Sequence, residues 1–157
     1  MQSFMLETSA VKTVEMTDAE IVADNAAQRN RLAEVIGRIE DFDVEFGGGW
    51  TIAAAVAHLA FWDRLYLMHL GNWPQDGPPS DDPSDSLNDV LIDEWLAVPP
   101  RQAVELALAA AQAIDKAIES LDERVADAIL THGSDWLLKR GRHRREHLDQ
   151  IERALRA

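Results

Sequence analysis

WTIAAAVAHLAFWDRLYLMHL, residues 50–70, carries no formal charge except Asp63 and Arg64. Alanines and large apolar side chains cover most of its circumference, so a helix here is buried nearly all round and belongs at the centre of a bundle. Upstream, the acidic stretch 41–45 and Gly47-Gly48-Gly49 form a connection, because three successive glycines cannot hold a helix against their backbone entropy. Before that, Thr17-Asp18-Ala19-Glu20 has the form of a capping box, and Ile21, Leu32, Val35, Ile36 and Ile39 continue it as an apolar stripe. A first helix is predicted over about 17–40. Downstream, residues 71–89 scatter Pro74, Pro78, Pro79 and Pro83 among glycine, serine and aspartate, which predicts a long surface crossing. A short amphipathic piece at 89–96 packs Leu91, Ile92 and Trp95 beneath it, and Pro99-Pro100 opens an alanine-rich third helix over about 100–121. Ser134 is the expected N-cap of a last helix carrying Trp136, Leu137, Leu148, Ile151 and Leu155 to the chain end. With no strand pattern and no internal repeat, this is an all-α four-helix bundle with a long crossover between its second and third helices. It reads as one domain over 1–157, with 1–16 an N-terminal extension and 71–98 the crossover with its short helix.

Composition narrows the function classes. The 157 residues are 46% apolar and 27% charged, as in ordinary globular domains, which argues against disorder and against a membrane protein. Acidic residues number 28 against 15 basic ones, a net charge of −13 that repels nucleic acid and anionic membrane. The last helix alone is basic, with seven Lys/Arg against three Asp/Glu over 136–157, and is read as complementing its acidic neighbours. Without cysteine there is no disulfide framework, no thiolate metal site and no cysteine nucleophile. Any bound metal must take nitrogen and oxygen ligands. The segment 1–16 lacks a basic stretch followed by an apolar one, and no run is long enough to cross a bilayer, so the chain reads as cytoplasmic.

His143-Arg144-Arg145-Glu146-His147 places two imidazoles slightly more than a turn apart, on one helix face and at a spacing suited to one metal ion. Counting about 100° per residue from Trp136, both point within roughly 20° of that tryptophan, toward the core. Two core-facing histidines can equally hydrogen-bond each other or a carbonyl. A third, His58, sits in the apolar second helix one turn before Trp62. If the crossover makes the second and third helices parallel, His58 lies about 12 Å below the top of its helix and His147 about 18 Å up the last one. In a bundle roughly 32 Å tall these fall at one level, and three imidazoles can converge; a simple up-down-up-down order changes the levels.

Gly49-Trp50-Thr51 leading to His58-Leu59 and Trp62, together with His143-x3-His147-x2-Gln150-Ile151, resembles the DinB/YfiT-like metalloenzymes. That group includes DinB proteins, the N-terminal domain of mycothiol-dependent maleylpyruvate isomerases and the ClbS/DfsB proteins. The resemblance covers nearly the whole chain. It implies an up-down-down-up bundle and a metal triad of one histidine on the second helix and two on the last, which carries over to His58, His143 and His147. In the isomerase branch a glutamate replaces one ligand of the last helix, and some relatives lack metal.

Three neutral imidazoles leave positions free for water or substrate, and zinc or nickel suits them. A metal so held lowers the pKa of bound water or thiol and polarises a carbonyl. Asn25 and Gln28 fall on the inward stripe of the first helix at the same level, as substrate contacts or as polar groups satisfied within the protein. Arg140 and Arg144 flank the histidines, where they either grip a substrate carboxylate or reach solvent and surface acids. Trp62 completes the candidate substrate site. Trp73 in the crossing, with Trp95, is the candidate cover of a pocket or a homodimer contact. Two functions follow as expectations. One is a metal-dependent enzyme acting on a small electrophile with an external low-molecular-weight thiol or water, by transfer, isomerisation or hydrolysis. The other is a metal-free bundle that binds and sequesters a small molecule.

Overall fold

Six α-helices and one 3-10 turn make up the regular structure in this computed structural model, which describes residues 16, 18–79 and 84–157. They are α1 Asp18–Gly37, α2 Ile52–Asp76, α3 Ser84–Leu96, α4 Pro100–Glu119, α5 Glu123–His132, the 3-10 turn Asp135–Leu137 and α6 Arg140–Arg156. Among the described residues there is no strand, only the isolated bridge between Glu45 and Thr51. Thr17 of the expected capping box, Pro83 and residues 1–15 lie outside the described residues.

Every residue of α2 from Ile52 to Ala60 is buried, as its composition predicts. Around it one apolar cluster joins Leu32 and Ile36 of α1, Trp95 of α3, Ala103 and Ala107 of α4 and Leu148 and Ile151 of α6. A second, at the other end, joins Ile21, Trp62, Tyr66, Leu70, Ile114, Ile129 and Leu137. The small alanines of α2 and α4 let these two helices make the most extensive contact in the fold. Polar contacts fix α1 against α6: Asn25 meets Gly141, Arg31 meets Asp149 and Arg38 meets Glu152, so residue numbers rise together along both. Between α2 and α6 the order is opposite, His58 facing His147 while Asp63 bonds Arg140.

Several local features differ from the sequence expectation. α2 runs past Leu70 to Asp76 and carries Pro74 inside its last turn; Gly77, at φ 67°, ends it and bonds back to Trp73. Trp73 is therefore a buried helix residue facing His132, not a loop residue. Trp95 is buried too, so neither tryptophan offers an outward surface. The short helix of the crossover starts at Ser84 rather than 89.

An additional helix, α5, follows α4, started by the Asp122 carboxylate accepting from the Arg124 amide at 2.9 Å and stopped by Gly133 in the left-handed conformation at φ 82°. Ser134 makes no side-chain cap, and the last helix begins six residues later, at Arg140. Its cap comes from another helix. Asn25 of α1 accepts from the Gly141 amide at 2.7 Å and donates to the Leu138 carbonyl at 2.8 Å. A side chain thus satisfies one of the free amides that open α6.

Candidate metal centre

The loop before α2 sets the first wall of the site. Gly47, Gly48 and Gly49 all have positive φ, at 113°, 61° and 79°, a path L side chains rarely take. The chain so doubles back that Trp50 O accepts from Phe46 N at 3.1 Å, and Thr51 then caps α2 by accepting from Ala54 N at 3.1 Å. The Trp50 ring lands edge-on against His58, 5.2 Å between centroids. Trp95 from α3 packs the same way at 4.8 Å, and Trp62 lies one turn along at 6.3 Å. His58 is 3% exposed.

Against this aromatic cage α6 presents His143 and His147. Three ring nitrogens, one from each of His58, His143 and His147, lie within 4.8 Å of one another, as the helical spacing and the level argument require. His58 Nε2 stands 3.0 Å from His143 Nε2. His147 Nδ1 donates to Gln150 Oε1 at 2.8 Å, which fixes its hydrogen on the outer nitrogen and leaves the Nε2 lone pair toward the cluster. Burial, helped by the nearby His147 and Arg140, pushes the His58 pKa down to about 3. His143 is held well below the ordinary imidazole range by burial, then by Arg140 and His147. Burial lowers His147 as well, against the opposing pull of Gln150 and Glu146. All three are neutral at pH 7, the form that donates a lone pair to a metal. The outward anchoring of His147 fits a site built around such a ligand set.

With the last helix and the second brought to this convergence, the comparison with known families is decisive: the model of the DinB superfamily matches residues 24–151. The chain belongs to the DinB superfamily. No curated protein and no solved structure shows a significant match to it. In this DinB-superfamily chain His143 and His147 face a cavity of about 470 Å³, with His58 behind them. Trp62, Tyr66 and Trp136 line it, together with Arg140 and the ion pairs Lys139–Asp135 and Arg142–Glu146. Trp62 spends its indole N–H on Asn88 Oδ1 at 3.0 Å.

The remaining predicted site residues separate. Arg140 borders the cavity, its guanidinium 4.2 Å over the Tyr66 ring and its Nε donating to Asp63 Oδ1 at 2.8 Å. Arg144, expected beside it as a substrate clamp, is fully buried and instead binds Asp63 and Asp115. Asn25 is occupied in capping α6, and Gln28 sits half-buried near Arg31, 3.4 Å away; neither is brought to the histidines. Two residues that sequence reasoning did not assign support the site, Asp63 through Arg140 and Gln150 through His147, while Asp115 holds Arg144 and Arg29. The signal for Asp63 was a lone acid in an otherwise apolar helix, which at 2% exposure must find a cation. Glu146 is exposed and pairs with Arg142 at 3.3 Å. No described helix is long and apolar enough to cross a membrane.

Proposed function

We propose that this DinB-superfamily chain is a metal-dependent enzyme in which His58, His143 and His147 hold a divalent ion, zinc or nickel, next to a substrate cavity. The observation that carries it is the convergence of three neutral ring nitrogens within 4.8 Å at the inner end of that cavity. The ascending α1–α6 contacts support the up-down-down-up order that places His58 level with His147. When bound, such an ion supplies Lewis acidity that favours the ionised form of a water or thiol and polarises a carbonyl.

The chain's own residues bind and orient. Trp62, Tyr66 and Trp136 offer flat apolar surface to a small planar substrate, and Arg140, buried and paired with Asp63, holds the wall between them and His143. The cage of Trp50 and Trp95 keeps water from the inner side of His58. Because the chain has no cysteine, a nucleophilic sulfur comes from an external low-molecular-weight thiol. The class of reaction is transfer to, isomerisation of or hydrolysis of a small electrophile. A second reading, a metal-free bundle that sequesters a small molecule in this cavity, is favoured by one observation: His58 and His143 already satisfy each other at 3.0 Å without an ion.

Metal analysis of protein purified without a histidine tag, then titration with zinc and nickel, separates the two. The enzyme reading expects about one ion per chain and loss of uptake in His147→Ala; a wild-type protein that takes up neither ion overturns it.

A further inference from the structure

Arg140 Nη2 lies 3.0 Å from His143 Nδ1. A guanidinium nitrogen only donates, so His143 Nδ1 accepts with its lone pair, and the single hydrogen of this neutral imidazole sits on Nε2. That nitrogen faces His58 Nε2 at 3.0 Å, which must then be the acceptor. The hydrogen of His58 is thereby placed on Nδ1, the buried nitrogen with no hydrogen-bond partner. His147, donating through Nδ1 to Gln150, turns a lone pair inward. The centre of the triad therefore holds two lone pairs and one N–H. A metal ion needs three lone pairs.

For His143 to become a ligand its hydrogen has to pass from Nε2 to Nδ1, where an Arg140 N–H already points. Two donors would face each other. We infer that Arg140 is a positioning residue that reserves His143 in its non-ligating tautomer, so that metal capture requires Arg140 to release His143 Nδ1, and Arg140 lowers the metal affinity of the triad. The inference rests on the reading of the triad as a metal site. Release does not strand the cation, because Arg140 keeps Asp63 through Nε at 2.8 Å and the face of Tyr66 at 4.2 Å. The contact to be given up is the hydrogen bond to His143.

The test begins with the metal-free full chain carrying 15N-labelled histidine. Long-range proton–nitrogen correlation spectra are expected to show His143 protonated on Nε2, and His58 and His147 on Nδ1. Zinc affinity is then measured by competition with a chromophoric chelator for wild type, Arg140→Gln and Arg140→Met. Arg140→Gln puts a carbonyl where it can accept from His143 Nδ1–H, and is expected to bind zinc tighter by about tenfold or more, the range in which residues behind a ligand act. Arg140→Met removes the opposing donor alone and is expected to tighten binding less. The wild-type spectrum decides the tautomer even where a variant fails to fold. A hydrogen on His143 Nδ1 in the metal-free protein, or an affinity that stays level or falls in a folded Arg140→Gln, overturns the inference alone. Failure of all three proteins to take up zinc or nickel overturns the metal reading and the inference with it.

Discussion

Asp115 takes both terminal nitrogens of Arg144, Nη1 to Oδ2 and Nη2 to Oδ1, each at 2.9 Å, in a part of the core where Arg144 is 0% exposed. Nη2 also reaches Asp63 at 3.1 Å and Nη1 the Asn25 carbonyl at 3.1 Å, so one guanidinium ties α6 to α1, α2 and α4. Desolvation makes such a group costly by itself, and its worth lies in what removal leaves behind. Arg144→Met leaves Asp63 to Arg140 alone and Asp115 to the half-buried Arg29, 2.7 Å away, and is expected to destabilise the fold by about 1.5–3 kcal/mol in urea denaturation, the range for hydrogen bonds between charged groups. Adding Asp63→Asn should deepen the loss, because it takes the buried Arg140 from its carboxylate. A single variant as stable as wild type would contradict the network.

At Gly141 the backbone of α6 lies close against α1. A Cβ built there falls on the Asp24 carboxylate, 3.0 Å from its Cγ and 3.0 Å from the Asp24 carbonyl oxygen. The side chain can swing away by giving up its ion pair with Arg145, but the backbone cannot. Gly141→Ala is therefore expected to cost about 1–3 kcal/mol, the range for a forced helix separation. Asp24→Ser in the same protein should restore only part of it, by the same denaturation assay.

How far the sequence carries is visible in individual residues. The convergence of His58, His143 and His147 was legible because rigid helices fix their spacing, and helical periodicity is the part of structure that a linear pattern encodes. The buried α2 was legible for the same reason. What could not be read depends on contacts made across the fold. Ser134 has the composition of an N-cap, yet the cap of α6 is Asn25, distant along the chain, and only tertiary packing brings them together. Arg144 looked like a ligand clamp because its two carboxylate partners come from α2 and α4. Pro74 looked like a helix stop because proline loses its bond to the preceding turn, yet α2 carries it, with Trp73 packed in the core beside it. α5 was missed although Asp122 and Gly133 bracket it and Val125, Ile129 and Leu130 keep helical spacing, since ten residues give a periodic pattern few repeats.

Gln150 determines which nitrogen of His147 is free. Its Oε1 accepts the Nδ1 hydrogen at 2.8 Å and orients the ring toward the triad. Gln150→Leu leaves that hydrogen without a partner and the ring free to turn. Because Gln150 is only half-buried, the fold should be little changed. Zinc affinity by chelator competition is expected to fall by about 10- to 100-fold at nearly constant melting temperature, and an unchanged affinity would mean that His147 needs no such support.

The metal-free protein should lose stability in mild acid. His58 has a folded pKa of about 3 against about 6.5 for a histidine in the unfolded chain. Between these values the unfolded state binds a proton that the folded state refuses, so it binds more protons and stability rises with pH; lowering the pH from neutral removes it. The slope approaches about 1.4 kcal/mol per pH unit for each histidine so affected, and His58 alone accounts for a loss of about 1 kcal/mol from pH 6.5 to 5.5. His143 and His147, lowered in the same direction, add to it. Urea denaturation in the presence of a chelator at pH 7, 6.5 and 5.5 is expected to show this decline, and His58→Gln, which has no proton to refuse, should decline less steeply. Bound zinc should hold on to lower pH than an exposed histidine site would, because protons compete only where these buried imidazoles accept them. A metal-free wild type equally stable at pH 7 and 5.5 would show that the three imidazoles are not held neutral by the fold.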